Sequence, residues 1–407
     1  MHGGRRLTRL GTICNRTGLW TVAVLAVCSG WKTASAQEWQ LTSNISQAVL
    51  YSDNLLLSRA RNVDAFGSIT APQLHLERIS PTSTIALDGR FEFAEYLDHS
   101  EFNSQDQFLN LNVVQAMSER STLRLRANFT HDTTLKSEQD ITGKELDNSF
   151  DFINWYVNPG WSYLVSPLDE IALRGSYQEV NYDTSEKTDY QYFGPSIDYN
   201  HQLSELAKLT STVSFFRYIP DRTGTDYTDT ISTLFGYAYT SSERFSVNGG
   251  AGLFYAMRTR DPGKDSSDLG YRLKFNMNYL MNDQTSMRVA LSHDAEPSGD
   301  GDQVVRNRIN LGFDYNFTPL TTGRLSFDYA DNEDFLGFEG NSTTNEGTSR
   351  YASVRPSVLW QLTEDWSLAA EYRFRYKVFE SDNESETSNT VMLTLQYNFP
   401  TLDWTED

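Results

Sequence analysis

From residue 37 onward, apolar and polar residues alternate in segments mostly 12–15 residues long. The clearest copy is Leu269, Tyr271, Leu273, Phe275, Met277, Tyr279 and Met281, with Gly270, Arg272, Lys274, Asn276 and Asn278 between them. A period of two puts successive side chains on opposite faces of a β-strand. One face is then unbroken apolar surface and the other carries charge. A soluble sandwich turns its apolar face inward and rarely keeps strands this long. A barrel in lipid turns that face outward and reserves the polar face for a watery lumen. The pattern therefore predicts an all-β fold, a transmembrane antiparallel up-and-down β-barrel.

Eighteen segments can be laid out, within a range of 16–18: roughly 37–51, 64–76, 83–97, 105–117, 121–133, 148–165, 169–182, 188–202 and 207–219, then 228–240, 244–257, 268–281, 285–295, 304–318, 322–333, 348–362, 366–380 and 386–399. A tilted membrane strand needs about 9–11 residues, so each is long enough. The links give an independent check. Every second one is short, as at 118–120, 166–168, 241–243, 282–284 and 363–365, while 134–147, 258–267 and 334–347 are long and acidic. Short periplasmic turns alternating with long outer loops is the asymmetry of such barrels. The alternation requires an even strand count and leaves both termini periplasmic. A β-propeller shares the forty-residue recurrence but needs four short strands where this chain supplies two long ones.

Four prolines, Pro72, Pro159, Pro195 and Pro356, fall inside the second, sixth, eighth and sixteenth segments. Proline removes a ladder donor, so the expectation at these sites is a β-bulge. Aromatic residues on the apolar phase cluster at the segment ends, as membrane interfaces favour. Beside the short turns stand Trp39, Tyr239, Phe245, Tyr279, Phe317, Trp360, Trp366 and Phe399, the candidate aromatic girdle. Toward the long loops stand Tyr51, Phe129, Tyr177, Tyr255, Tyr271, Tyr329 and Tyr376.

Residues 1–36 read as a cleaved signal peptide. Arg5, Arg6, Arg9 and Arg16 form a basic region, Leu19 to Val27 a short apolar run, and Ala34-Ser35-Ala36 a small-residue cleavage site. The apolar run is too short for a membrane anchor. A lipobox ending at Cys28 would place bulky Val27 where a small residue belongs. The barrel then occupies 37–407. Both cysteines, Cys14 and Cys28, lie in the removed segment, which excludes disulfides and thiolate metal sites from the remainder. That remainder carries 29 Lys+Arg against 54 Asp+Glu, a balance that speaks against nucleic acid as a partner.

Charge is not spread evenly. The polar phase, facing the lumen, carries Arg90, Arg124, Arg126, Arg174, Arg272, Lys274, Arg288, Arg306, Arg308, Arg324, Arg355, Arg373, Arg375 and Lys377. Against these fourteen bases stand six acids well inside the segments, Asp88, Glu92, Asp198, Asp314, Asp328 and Glu371. The long loops have the opposite sign. A basic conduit behind an acidic vestibule follows, because arginines in a low-dielectric wall focus field and favour anions. Guanidinium also binds carboxylates bidentately, those of uronic acids included. The alternative is a wall of mutually paired charges without selectivity. Either way such charge needs water, and eighteen strands enclose room for it.

Catalytic signatures are sparse. His131-Asp132 and His293-Asp294 sit at outward strand ends, where an Asp-oriented histidine could activate water or serine, but the two strands lie nearly opposite in the ring. Neither a nucleophile elbow nor a His-Glu-x-x-His helix is present. Stretches 261–265 and 299–302 hold aspartates and glycines but lack a calcium-loop pattern, and read as solvated turns. The expectation is a channel rather than an enzyme, with no cofactor and no metal.

Tyr51-Ser52-Asp53-Asn54-Leu55-Leu56-Leu57-Ser58 resembles the Tyr-Thr-Asp-Asn-x-x-Leu-Ser stretch of outer-membrane β-barrel porins associated with bacterial exopolysaccharide synthesis and export. Thr70 to Leu76 looks like their second strand, and Gln361 to Leu368 and Leu395 to Phe399 are of general outer-membrane type. Residues 400–407 depart from the pattern, since such barrels usually end on the aromatic of the terminal strand. The resemblance implies a conduit in the outer membrane of a Gram-negative bacterium that exports an exopolysaccharide, and the basic lumen makes an anionic one the expectation. It also implies the polysaccharide and periplasmic export or synthesis proteins as partners, beside lipopolysaccharide, outer-membrane lipids and the barrel assembly machinery. A passive porin for small anionic solutes and a non-conducting adhesin or receptor are the alternatives.

Overall fold

A computed structural model describes residues 37–58, 61–135, 149–222, 225–261, 265–334, 349–379 and 384–406. The signal segment read at 1–36 lies outside these residues, as do 262–264 and most of links 134–147 and 334–347. The strands are β1 (Gln37–Ser52), β2 (Ala65–Ser80), β3 (Ser83–Tyr96), β4 (Ser104–Ser118), β5 (Ser121–Thr133) and β6 (Asp151–Leu164). Next come β7 (Asp169–Tyr182), β8 (Tyr190–Ser204), β9 (Ala207–Pro220), β10 (Thr225–Ser242), β11 (Phe245–Asp261) and β12 (Ser266–Asn282). The last are β13 (Thr285–Pro297), β14 (Gln303–Thr318), β15 (Thr321–Asp334), β16 (Ser349–Gln361), β17 (Trp366–Phe379), β18 (Glu384–Asn398) and β19 (Leu402–Glu406).

Each strand pairs antiparallel with the next, and β1 pairs with β18, closing the sheet into an eighteen-stranded barrel. β19 is not a further stave. After a break at Phe399-Pro400-Thr401, it continues the line of β18 along the same edge of β1, with Gln37 opposite Glu406 and Leu41 opposite Leu402. The tail that departs from the family pattern thus completes the closing seam, and Trp404 stacks on Trp39 at 5.9 Å between centroids. Gln37 and Glu406 both lie at the short-turn end.

Exposure settles which phase faces out. On β12, Leu269, Tyr271 and Leu273 are 62, 52 and 46 % exposed, inverting the pattern of a soluble core. Trp366 and Tyr376 stand ten residues apart on the outward face of β17. At about 3.3 Å per residue and a tilt near 40°, they bracket about 25 Å, the height of the apolar band of a membrane barrel. Eighteen strands about 4.8 Å apart at that tilt give a backbone diameter of about 36 Å. Side chains of one wall cannot fill such a bore.

Five of the short turns share one device. Their first residue is Ser, Thr or Asn, and its side-chain oxygen accepts the N–H two residues on: Ser118 from Arg120, Ser204 from Leu206, Ser242 from Arg244, Asn282 from Gln284 and Thr318 from Leu320. These local bonds close a two-residue link and fix hairpin register. The bulges lie at these same five turns.

The prolines do not form bulges, contrary to the expectation from the sequence. Register is unchanged across each of them. Instead the ladder toward the following strand skips two residues, between Thr70 and Gln73, Val157 and Gly160, Phe193 and Ser196, and Val354 and Ser357. At Pro159 the Asn158 side chain donates to the Gly175 carbonyl at 2.6 Å, replacing the missing backbone donor.

Candidate functional site

Because side chains alternate, the exposed apolar phase leaves the fourteen predicted bases on the inner wall. Among the described residues, ten of them have an acid in ion-pair range as follows. Arg90 meets Glu92 at 3.3 Å, Arg174 meets Asp198 at 2.6 Å, and Arg272 and Lys274 share Asp294 at 2.6 and 3.2 Å. Asp314 is held between Arg288 at 2.8 Å and Arg324 at 2.6 Å. Arg355 reaches Asp328 at 2.9 Å, Arg373 reaches Glu371 at 3.2 Å, and Arg306 and Arg308 both meet Glu296. Asp294 and Glu296 were not among the acids picked from the sequence, so the expected basic surplus is smaller than the sequence count. Gly312 leaves room for one of these contacts: a Cβ there would press on the Arg288 guanidinium at 3.3 Å.

Arg124 and Arg126 differ. Arg124 donates to Ser162 Oγ at 2.8 Å and Arg126 to Asn112 Oδ1 at 3.2 Å, and among the described residues neither has an acid in ion-pair range. Both sit on β5 toward the short-turn end. Both face the lumen with only neutral hydrogen-bond partners.

Among the described residues two links pack inward at the long-loop end. The link between β1 and β2 folds inward, and Leu55, Leu56 and Val63 join Leu50, Ala65, Ala94, Tyr96 and Phe102 in a buried cluster. Arg375 Nη2 fastens this link by donating to the Asn54 and Leu55 carbonyls at 3.1 and 2.9 Å and to Ser388 Oγ at 2.9 Å. Leu57 has a positive φ of 54° within it. Arg306, Arg375 and Lys377 are buried here, so these three do not line open water as expected from the sequence.

A second link, 298–302 between β13 and β14, reaches over to the β7–β8 link and to the long-loop ends of β9 and β11. The Tyr218 hydroxyl donates to the Ser298 carbonyl at 2.8 Å, Thr188 N donates to the Gly299 carbonyl at 2.6 Å, and Lys187 meets Asp300 at 2.9 Å. Asp302 pairs with Arg258, which also meets Asp226 at 2.9 Å, and Arg222 donates to the Asp300 carbonyl. Burial raises the Asp302 carboxyl above its ordinary range, outweighing Arg258, Arg222 and Arg260. Gly301 takes the positive φ of 85° the turn requires. Residues 299–302 are thus docked on neighbouring staves at the mouth, which corrects their reading as a solvated turn. The buried Phe152, Val180, Tyr182, Tyr190 and Tyr218 form a second cluster in this region.

The two His-Asp pairs do not assemble. His131 and His293 share the outward phase with Phe129 and Leu291, whereas Asp132 and Asp294 point inward. His293 stacks on Tyr271 at 3.9 Å and bonds Asn307 at 2.6 Å, while Asp294 serves Arg272 and Lys274. Neighbours on opposite faces of one strand cannot form a dyad.

The girdle residues Trp39, Tyr239, Phe245, Tyr279, Phe317, Trp360, Trp366 and Phe399 all stand on the outward phase beside short turns. Phe245 and Tyr279 meet edge-on at 5.7 Å, and Trp366 meets Tyr397 at 4.8 Å. Sequence reasoning missed Trp161, Tyr163 and Trp404 in the same belt. Trp161 donates to Ser121 Oγ at 2.8 Å, giving its indole N–H a partner.

No protein-family model matches the chain, and no curated protein is similar enough to match. Among solved structures, the outer membrane protein OpdK of Pseudomonas aeruginosa is similar at 11 % identity, covering 91 % of this chain and 99 % of its own, with a TM-score of 0.46. OccAB3 of Acinetobacter baumannii is similar at 9 % identity, covering 90 and 99 %, also at 0.46. The ferric-catecholate import receptor Fiu of E. coli K12 is similar at 10 % identity, covering 88 and 81 %, at 0.45. The architecture of this chain stands on its own strand ladder and does not depend on these likenesses.

Proposed function

We propose that this chain is a channel in the outer membrane of a Gram-negative bacterium, through which small anionic solutes diffuse past a mouth narrowed by two of its own loops. What supports this is a contrast along the barrel axis. The Arg174, Arg288 and Arg324 side chains are 49, 53 and 54 % exposed to the lumen, whereas Arg306 and Arg375 are buried at the long-loop end. Water is needed where guanidinium groups stay open, and the buried mouth sets the size limit. Ten ion pairs stiffen the wall and lower its net field. Arg124 and Arg126 then carry the anion preference, since a charge with only neutral partners in a low-dielectric wall acts on the passing ion undiminished. In this reading the girdle contacts outer-membrane lipid and lipopolysaccharide, the barrel assembly machinery inserts the chain, and neither catalysis, a cofactor nor nucleic acid has a part.

The test is the reversal potential of the purified protein in planar bilayers under a KCl gradient. Chloride preference is expected, and replacing Arg124 and Arg126 together by glutamine should move the reversal potential most of the way to zero. Cation preference in the unmodified protein, or no conductance at all, overturns the reading.

Export of an anionic polysaccharide is the second reading, favoured by one observation. The segment that resembles the export-associated porins, Tyr51 to Ser58, forms the inward link at the mouth, where an emerging chain would pass. Polymer trapped in the periplasm of a deletion strain would favour it over uptake.

A further inference from the structure

We propose that the inner wall of β1–β5 holds a binding subsite for hydroxylated carboxylates, the class to which sugar acids belong; this rests on the anion-channel reading and names its solute. Strand register assembles the site. One row across four neighbouring strands is Thr42, His75, Asp88 and Asn110, and the row beside it is Asn44, Gln73, Arg90 and Phe108. Together they line a recess of about 300 Å³ in the lumen wall, at the lower end of small-molecule sites.

Within the patch Asn110 accepts from the Asn128 amide, and other lumen amides are engaged as well: Asn310 with Asp328 at 2.7 Å, Asn200 with Glu170 at 3.0 Å, Asn276 with Asn248 at 3.1 Å. Asn44 Oδ1 is buried with no hydrogen-bond partner, and among the described residues the Gln73 amide has none either. Buried polar atoms left idle are unfavourable, and adjacent idle amides offer the paired donors and acceptors that vicinal hydroxyls satisfy. Asp88 adds an acceptor, oriented by His75 Nδ1 at 2.6 Å. Arg90 is already committed, lying 4.2 Å over the Phe108 ring and 3.3 Å from Glu92. The carboxylate partner is Arg126, one row toward the turns and one strand on, about 7 Å along the wall. It lacks an acid, and its planar fork suits a carboxylate.

Block of the chloride current in planar bilayers by D-gluconate, acetate and glucose tests this with the full chain. Acetate has the charge without the hydroxyls, and glucose the hydroxyls without the charge. Gluconate should interrupt the current at concentrations at least tenfold lower than either. Asn44→Leu with Gln73→Leu should raise the gluconate concentration needed at least tenfold, while Asn276→Leu on the facing wall leaves it alone. If the double variant fails to form a barrel, Gln73→Glu tests the same point by setting a like charge against the solute. Gluconate blocking no better than acetate while chloride preference persists overturns the subsite alone. Loss of chloride preference in the unmodified protein would instead overturn the channel reading.

Discussion

Arg375 separates two views of the inner wall, because its phase marks it as a selectivity residue and its contacts mark it as a fastener. Replacement by methionine keeps the volume but removes the charge and every donor. Nη2 then abandons the carbonyls of Asn54 and Leu55 and the Ser388 hydroxyl. Hydrogen bonds from a charged donor contribute roughly 1.5–3 kcal/mol each, so two orphaned carbonyls in a buried setting cost the folded link about 3 kcal/mol. Tenfold in population corresponds to about 1.4 kcal/mol, giving a roughly hundredfold rise in the fraction with the 53–64 link displaced. The link is not released outright, since Leu55, Leu56 and Val63 keep their apolar cluster and the Asn54 amide still reaches the Thr387 carbonyl at 3.2 Å. Single-channel recording should show a larger and noisier conductance, and limited trypsin digestion should cut within 53–64 much faster. The chloride-to-potassium permeability ratio should move far less than in Arg124→Gln. An unchanged conductance and cleavage rate, with a collapsed permeability ratio, would refute this and restore Arg375 to the selectivity lining.

Two further expectations concern the mouth and the seam. Asp302 has its carboxyl pKa raised by burial beside Arg258, Arg222, Arg260 and Asp226, so the docked position of link 298–302 binds a proton more tightly than a released one does. Stability of the docked link is therefore full below the ordinary value of 3.8 and declines as pH rises through the raised value. Conductance should fall on acidification through that window, and Asp302→Asn, fixed neutral, should abolish the dependence; a conductance that rises with acid contradicts it. Removing 400–407 takes the partner from Gln37 to Leu41 and the Trp39–Trp404 stack, worth about 0.5–1.5 kcal/mol. The truncated barrel should unfold at a lower temperature, read by its shift in electrophoretic mobility on heating, and an unaltered transition would count against the seam.

How much of this was legible in the sequence depends on what local chemistry encodes. Strand positions were, because a period of two over a dozen residues admits one arrangement, and Ser118, Ser204 or Asn282 at each turn fixes hairpin register nearby. The Asp314–Arg324 pair was readable in principle, since the two face each other across the two-residue turn at 319–320. Arg288 reaching the same carboxylate was not, because β13 and β14 are joined through link 298–302, whose path has no periodic signal. The inward fold of the β1–β2 link left one trace, three successive leucines at 55–57, which the family likeness absorbed. Pro72 and its counterparts looked like bulges because a lost donor is visible in sequence, whereas a two-residue gap with intact register requires the neighbouring strand.

The edge of β1 that receives β18 and then β19 gives the barrel an order of events. Ser52 bonds Thr390, 338 positions along the chain, and joining such distant segments carries a large loop-closure entropy before any contact repays it. Every other stave can zip to its predecessor in chain order. The N-terminal stave alone waits, one side bare, until the final two dozen residues arrive. A cell making this protein must shield that waiting edge, so the slowest and most aggregation-prone moment of its biogenesis falls at ring closure.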